Sequence, residues 1–390
     1  MVKIGILSMQ KVKNHGSYLQ AYALMSFLKN NFNCEVKFVD FETKNGVKDT
    51  CRESYTQLKS KKLRYFIIRF VAFLTKIPLI GKVVLKNKKI AEWKNLIAFF
   101  DLYCNKFEKV FWKHLPLSNI TLAQTKDIDI LIIGSDEVFN ISINDTVGYS
   151  HELFAVGSNA KKNLSFAGSF GCTTIKDLNE QGRREKVIGY FARFDGISVR
   201  DKNSLNIVKE LLGQRQEVGY HLDPVFHYDF KNELVAVHRK KPYLILYAYN
   251  GLQDQQKAHI MEYARNHGLE ILCCLGYQKD LGEFMNISPF EVLSYVRNAQ
   301  CVVTTTFHGC VFAIKYNKPF CVLTQKKTNY GNEEKVGDLL ERLHLTGRII
   351  NNFCDLEQKM QEDINYNEVN ELISILIENA KHYLEKHITE

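Results

Sequence analysis

The sequence predicts an α/β fold of two Rossmann-like domains, each built on a parallel β-sheet. Through most of the 390 residues, short apolar runs alternate with segments of helical periodicity, the pattern of repeated βα units. The alternation stops at a charged stretch, residues 231–241, and then restarts. A chain of this length can bury two separate cores. We therefore place the two domains at residues 1–238 and 239–366.

The first half of the chain begins with a clear strand and helix. "KIGILS" (3–8) is apolar and of strand length, and residues 17–31 have apolar positions spaced near 3.6, as in a helix packed on one side. Residues 47–107 contain two basic helical stretches, which we interpret as an insertion in this domain. The strands predicted for the first domain span residues 3–8, 34–41, 127–134, 162–168, 196–200 and 217–224.

The second half repeats the pattern and ends in a long amphipathic helix, residues 369–387. We expect the terminal segment, residues 367–390, to pack back on the first domain. Parallel strands need right-handed crossovers, and ligands bind beyond the carboxyl ends of such strands. Two sheets that face each other across a cleft would give the arrangement known as GT-B. The strands predicted for the second domain span residues 242–249, 269–276, 300–306 and 319–324.

The composition is that of a soluble globular protein with one basic segment. Hydrophobic residues make up 45% and charged residues 24% of the chain, and the ten cysteines form no CxxC pair, as expected of reduced thiols. No secretory signal pattern is present, so we expect a cytoplasmic location. Residues 59–94 hold eleven Lys or Arg and one acid, Glu92, so the rest of the chain is close to neutral. Charge confined to one segment argues against a nucleic-acid partner.

Two loops that follow first-domain strands carry candidate site residues. Asn14, His15 and Gly16 lie where the first helix begins, and the free N–H groups there can hold an anion or a sugar hydroxyl. Ser135 and Asp136 follow the strand predicted at 127–134, where an aspartate can act as a base or bind a sugar. The alternative for both loops is structural, since Asn14 and Asp136 are also typical capping residues.

Two further strand ends carry a cation and a histidine. Arg200 follows a short strand, where its guanidinium can bind a carboxylate or phosphate, or alternatively pair with Asp201. In "TTTFHG", Thr306 can cap a helix and leave its first N–H groups free, with His308 and Gly309 at the cleft. His308 can bind phosphate or transfer a proton, or alternatively bond to a backbone carbonyl.

Several stretches, in order along the chain, resemble the polysaccharide pyruvyl transferase family. They are "KIGILSMQKVKNHGSYLQAYAL", "DILIIGSDEVFN", "LSFAGSFG", "SVRD", "HLDPVF" and residues 288–320, which include Phe-His-Gly. The resemblance implies transfer of a pyruvyl group from phosphoenolpyruvate to a sugar, with a cyclic ketal as the usual product. It further implies that Arg200, Phe307 (through its backbone) and His308 bind the donor, together with Thr306 and Gly309. His308 and Asp136 are then the predicted catalytic acid and base.

Some residues depart from the family pattern. Thr305 stands where many members have Asp, Glu137 and Phe139 replace the usual Gln and Trp, and His15 replaces an aromatic residue. Since Arg200 is retained, these departures concern the acceptor more than the donor. We assign the acceptor side to the first domain, with Asn14, His15, Gly16 and Ser135, and the phosphoenolpyruvate site to the second.

The basic segment, residues 59–94, allows two interpretations. Its cations are interleaved with apolar residues at helical spacing, so it can lie on an anionic membrane surface at the inner face of the plasma membrane, near a polyprenyl-diphosphate-linked acceptor. The alternative is a helical cap packed on the first domain.

Two other function classes compete with pyruvyl transfer. One is a nucleotide-sugar glycosyltransferase of the same architecture, and the other is a non-catalytic partner in a membrane-bound polysaccharide assembly. The second would bury Arg200 and His308 without an open cleft. No zinc-type Cys/His spacing and no glycine-rich nucleotide loop is present, so we predict no metal and no cofactor besides phosphoenolpyruvate as co-substrate.

Overall fold

The first sheet is parallel throughout and has five strands in the order β3-β2-β1-β4-β5. A computed structural model describes residues 1–41, 87–142, 149–323, 332–351 and 353–389, together with Phe70 and Phe73. β4 is buried along its whole length, as expected for a parallel strand covered on both faces. The strands are β1 (Val2–Leu7), β2 (Cys34–Asp40), β3 (Leu117–Thr121), β4 (Ile130–Ile133) and β5 (Lys162–Ser165).

Two short strands, β6 (Ser198–Val199) and β7 (Gly219–Tyr220), form a separate parallel pair. Single bridges from Leu164 to Gly196 and from Gly168 to Val199 join this pair to the region of β5. The end of β6 therefore lies beside the segment that follows β5. This places Arg200 near the same edge of the sheet as the loop after β4.

The second sheet is also parallel and has six strands in the order β10-β9-β8-β11-β12-β13. The two parallel sheets confirm the predicted α/β class. The domain boundary that we predict near residue 238 falls in the chain between β7 and β8. The strands are β8 (Tyr243–Ala248), β9 (Glu270–Leu275), β10 (Glu283–Phe284), β11 (Cys301–Thr304), β12 (Phe320–Leu323) and β13 (Ile349–Ile350).

Helices cover the sheets, and one large apolar cluster joins the two domains. This cluster contains Ile4 and Ile132 of the first sheet together with Ile245 and Val302 of the second. The helices are α1 (His15–Asn31), α2 (Lys88–Asp101), α3 (Phe107–Lys109), α4 (Ile175–Glu180), α5 (Arg184–Phe191), α6 (Lys202–Leu212), α7 (Asp254–Asn266), α8 (Pro289–Asn298), α9 (Phe307–Lys315), α10 (Asn332–Arg342), α11 (Leu356–Gln361) and α12 (Tyr366–Thr389).

The last helix, α12, contacts the first domain although it follows the second sheet in the chain. Tyr383 donates a hydrogen bond of 3.0 Å to the Ser165 carbonyl, and its ring lies 4.9 Å from that of His221. Lys386 pairs with Glu217 on the surface. Among the described residues, no helix has both the length and the hydropathy needed to cross a bilayer.

The described part of the basic insertion packs on the second domain. Asn95 of α2 donates to the Gly282 carbonyl at 3.0 Å and accepts from the Phe284 N–H at 3.0 Å, so it pairs with the edge strand β10. Lys106 donates to the Asn286 carbonyl. Within the basic segment itself, Lys94 pairs with Glu283 of β10 at 3.0 Å. Most of the segment predicted to bind a membrane, residues 59–86, lies outside the described residues apart from Phe70 and Phe73.

Candidate active site

Strand ends from both sheets meet at one pocket between the domains. The pocket contains about 360 Å³ of space that no atom occupies, part of it open to solvent. The first domain lines it with Asn14, Ser17, Asp136, Glu137 and Arg200, and the second with Tyr247, Tyr249, Leu275, Thr306, Phe307, His308 and Lys335.

Asp136 lies at the tip of the loop after β4 and points into the pocket. Its φ of 75° is a left-handed conformation, which turns the chain sharply away from the strand. Its carboxylate accepts a hydrogen bond of 2.6 Å from the hydroxyl of Ser17 in α1. The contact joins two strand ends of the first sheet, since Ser17 lies in the helix that follows β1.

Arg200 forms a buried ion pair, although not with Asp201. Its Nη1 donates to Oδ2 of Asp223 at 2.7 Å, and its Nη2 lies 3.5 Å from Oδ1 of Asp136. The guanidinium carbon lies 4.2 Å from the centre of the Phe307 ring, a cation–π contact with the second domain. The buried Nε has no hydrogen-bond partner. Asp201 instead caps α6 and accepts from Ser204.

Asp223 is the central acid of the cluster and is fully buried. Besides the bond from Arg200, it accepts from the Val225 N–H at 3.0 Å, and Nε2 of His308 lies 3.5 Å from its Oδ2. Burial alone would raise the pKa of Asp223, but His308, Arg200 and the N–H outweigh it and hold this pKa well below its usual range. Asp223 is therefore an anion that orients the side chains of Arg200 and His308.

His308 lies in the first turn of α9, at the junction of the domains. The Thr306 hydroxyl caps this helix by accepting from the Gly309 N–H at 3.0 Å, as the sequence predicts. Nε2 of His308 is buried and has no hydrogen bond, so it is not bonded to a backbone carbonyl. An ideal Cβ on Gly16 would lie 2.1 Å from Cγ of His308, so only glycine leaves room for the imidazole there.

The threonines around this turn have distinct roles. Thr304 donates to the Tyr247 carbonyl at 2.7 Å and accepts from the Thr306 N–H at 3.0 Å. A Cβ added to Gly309 would lie 2.1 Å from Oγ1 of Thr304. The Thr305 hydroxyl is buried without a partner. Because residue 305 is a threonine, this position does not supply the carboxylate that many relatives have.

His15 and Ser135 lie behind the pocket wall. Both are fully buried, and Nε2 of His15 lies 3.2 Å from the Ile287 carbonyl in the second domain. Burial lowers the pKa of His15 to about 4, with a smaller opposing effect from that carbonyl. The sequence predicts that these two residues bind the sugar acceptor, and direct contact with a sugar does not fit this buried placement. Asn14 and Gly16 do lie at the site, one as the cap of α1 and the other against His308.

Sequence reasoning missed several residues of the pocket. Lys335 of α10 is buried and donates to the carboxylate of Glu137. Burial would raise the pKa of Glu137, but Lys335 and Asn140 outweigh it, so this pKa is lowered. Asp223 lies within "HLDPVF", and its place before a proline at a helix start signals only a cap. No local pattern marks Lys335. Among the described residues, no group of three His, Cys, Asp or Glu side chains could hold a metal ion.

A profile of the family described as Polysaccharide pyruvyl transferase matches residues 14–327. This range includes the pocket residues from Asn14 to His308 and excludes Lys335. A comparison with curated protein sequences finds no match.

Solved structures of similar architecture cover almost the whole chain at low identity. A UDP complex of MnaA from S. aureus is 11% identical and covers 100% of this chain and 97% of its own, with a TM-score of 0.49. UDP-N-acetylglucosamine 2-epimerase from Rickettsia bellii is 8% identical, and the match covers 100% of this chain and 97% of that one, with a TM-score of 0.49. A putative enzyme of that name from Listeria monocytogenes is 10% identical, covers 98% and 97%, and scores 0.44. We infer nothing about chemistry from these likenesses.

Proposed function

Since the chain belongs to the polysaccharide pyruvyl transferase family, we propose that it transfers a pyruvyl group from phosphoenolpyruvate to a sugar. The proposed product is a cyclic ketal across two sugar hydroxyls, with release of phosphate. The observation that carries the proposal is the meeting of Arg200, Lys335 and the first turn of α9 at one pocket. Phosphoenolpyruvate has a carboxylate and a phosphate. Arg200, Lys335 and the first turn of α9 supply the cations and N–H donors that such anions need.

Donor binding is proposed to use both domains. The first-turn N–H groups of Phe307 and His308 have no acceptor within the helix and suit an anion. Arg200 has an unpartnered Nε, and Lys335 adds a second positive charge beside it. Thr306 and Gly309 hold this turn in shape through their capping bond.

The proposed reaction starts with a proton transfer from protonated His308 to the methylene carbon of phosphoenolpyruvate, which becomes a methyl group. Nε2 of His308 lies 3.5 Å from Oδ2 of Asp223, which orients the imidazole. The first sugar hydroxyl attacks the adjacent carbon, and Asp136 accepts its proton. Phosphate leaves as its C–O bond breaks and takes up that proton. The second hydroxyl closes the ketal, and its proton restores His308.

The acceptor is proposed to be a sugar of a lipid-linked repeat unit of a capsule or exopolysaccharide. Asn14, Ser17 and Asp136 place hydrogen-bonding groups of the first domain at the pocket. Peripheral membrane binding through residues 59–94 is a proposal that rests on the sequence pattern alone. Sedimentation with liposomes, with and without anionic lipid, tests it, and sedimentation that does not depend on anionic lipid would count against it.

The test of the reaction is incubation with phosphoenolpyruvate and a panel of aryl or lipid-linked glycosides. We expect phosphate release and a product heavier by one pyruvic acid less one water. His308→Gln should lower turnover by about 10²–10⁴-fold, the usual range for loss of a general acid. His344→Gln is the control, since that histidine is exposed and pairs with Glu368 away from the pocket lining. Normal turnover in His308→Gln and Arg200→Lys would refute the assigned roles.

A further inference from the structure

α10 has an apolar side in the second domain and a polar side on the first. Val336, Leu339 and Leu340 are buried in the large apolar cluster. Lys335, Asp338 and Arg342 follow at intervals of three and four residues and share the opposite side of the helix. All three side chains contact first-domain residues.

Arg342 bonds to the carboxyl ends of both short strands of the first domain. Its Nη1 donates to the Arg200 carbonyl and its Nη2 to the Tyr220 carbonyl, each at 3.2 Å. Its guanidinium carbon lies 4.0 Å from the centre of the Tyr220 ring. β6 and β7 have two residues each, so few ladder hydrogen bonds hold them together. The fork of Arg342 therefore adds a second connection between these strand ends.

Asp338 and Lys335, on the same side of α10 as Arg342, strengthen this contact. Asp338 accepts from the hydroxyl of Tyr220, and Lys335 donates to Glu137, the neighbour of Asp136. One helix of the second domain thus contacts the segments that follow β4, β6 and β7. Arg342 itself does not line the pocket.

We propose that α10 aligns the two halves of the site and that Arg342 is a positioning residue for Arg200. It fixes the backbone from which the Arg200 side chain reaches Asp223 and the pocket. The inference rests on the proposed function, because its kinetic consequence concerns phosphoenolpyruvate. Its structural consequence, a firmer β6–β7 end, does not depend on the reaction.

The kinetic test is Arg342→Met, which keeps the apolar stem and removes the fork. We expect KM for phosphoenolpyruvate to rise about tenfold, as for loss of a hydrogen bond from a charged group, with a smaller change in kcat. Arg348→Met is the matched control, since Arg348 likewise donates to two backbone carbonyls, those of Lys359 and Glu362, within the second domain. It should lower stability and leave KM unchanged.

A double-mutant cycle separates positioning from general destabilisation. If Arg342 acts through Arg200, adding Arg342→Met to Arg200→Lys should raise KM by much less than tenfold. Independent effects that multiply would overturn the proposal. Arg342→Lys, which retains the charge and loses the fork, serves for the same cycle if Arg342→Met does not fold.

Hydrogen exchange distinguishes failure of this inference from failure of the proposed function. We expect Arg342→Met to speed amide exchange at residues 198–201 and 219–221, whereas Arg348→Met should not. Unchanged exchange there would overturn the role of α10, even in an active enzyme. Faster exchange in a protein that never uses phosphoenolpyruvate would refute the proposed function and leave the alignment by α10 standing.

Discussion

The two halves of the pocket differ in how far their polar groups are already paired. In the first domain, Arg200 is paired with Asp223 and Asp136 in a buried cluster, although its Nε has no partner. In the second, the Thr306 hydroxyl caps a helix, and neither the Thr305 hydroxyl nor Nε2 of His308 has a hydrogen bond. The first half therefore contributes fixed charge, while the second retains free donors for an incoming anion.

This difference separates stability from chemistry. Removing one partner of a buried ion pair leaves an uncompensated charge, which is costly even where the pair itself adds little net stability. When the His308 imidazole is removed, Asp223 keeps its closer partner, Arg200 at 2.7 Å. We therefore expect variants of the first half to affect folding most and variants of the second half to affect turnover most.

The largest effect on stability is expected from Asp223→Asn. The change leaves the buried Arg200 without its closest charge partner, which lies at 2.7 Å, and should lower the free energy of unfolding by about 3–5 kcal/mol. Urea denaturation measures it. Asp254→Asn is the control, because that fully exposed carboxylate pairs with Lys257 and should cost less than about 1 kcal/mol. Equal losses in the two variants would remove the distinction between the halves.

A smaller loss is expected from Gly16→Ala, which links the halves sterically. The added Cβ would lie 2.1 Å from Cγ of His308, so the imidazole must move, at a cost of about 1–3 kcal/mol and with reduced turnover. Gly189→Ala is the control with the opposite sign. Gly189 lies in α5 with nothing near its Cβ position, so alanine should stabilise by about 0.5–1 kcal/mol. Unaltered turnover in Gly16→Ala would show that the imidazole tolerates displacement.

Acid should weaken the packing behind the site before it protonates the carboxylates. Burial lowers the pKa of His15 to about 4 and that of His221 to about 3, with His227 and Arg342 adding to the effect at His221. The unfolded chain, with histidine pKa near 6.5, binds more protons between about pH 6.5 and 4, so stability falls as the pH falls. Each histidine contributes at most about 1.4 kcal/mol per pH unit.

Urea denaturation from pH 8 to pH 5 measures this slope. Replacing His221 by Asn should flatten it, and replacement of the exposed His344 is the control variant. Stability that is constant from pH 7 to pH 5 would contradict the neutral, buried state of these imidazoles.

The smallest effect is expected from Thr305→Val, which compares two neighbouring hydroxyls of the second half. The Thr305 hydroxyl is buried without a partner, so its loss should change stability by less than about 0.5 kcal/mol. Thr304→Val should cost about 1–3 kcal/mol, because it leaves the Thr306 N–H without its partner and removes the shorter of two bonds to the Tyr247 carbonyl. Thermal unfolding of both variants decides it, and a large loss at Thr305 would reveal a partner for that hydroxyl.

Much of the site could be predicted from the sequence because parallel strands direct their carboxyl ends to one edge. Asp136, Arg200 and His308 each follow a predicted strand, and all three line the pocket. His15 misled this reasoning, since a residue at a helix start can point to solvent or into the core with the same local sequence. Its ring instead lies under the wall, bonded to a carbonyl 272 residues away.

The sequence by itself determined the α/β class, the order of the elements and the strand ends that carry polar residues, because hydrophobic periodicity is a local property. Only the tertiary structure decided the pairing of those residues. Asp223 reaches Arg200 across 23 residues, and Lys335 reaches Glu137 across 198. Such pairs depend on how the two sheets and α10 pack, and no local spacing encodes that distance.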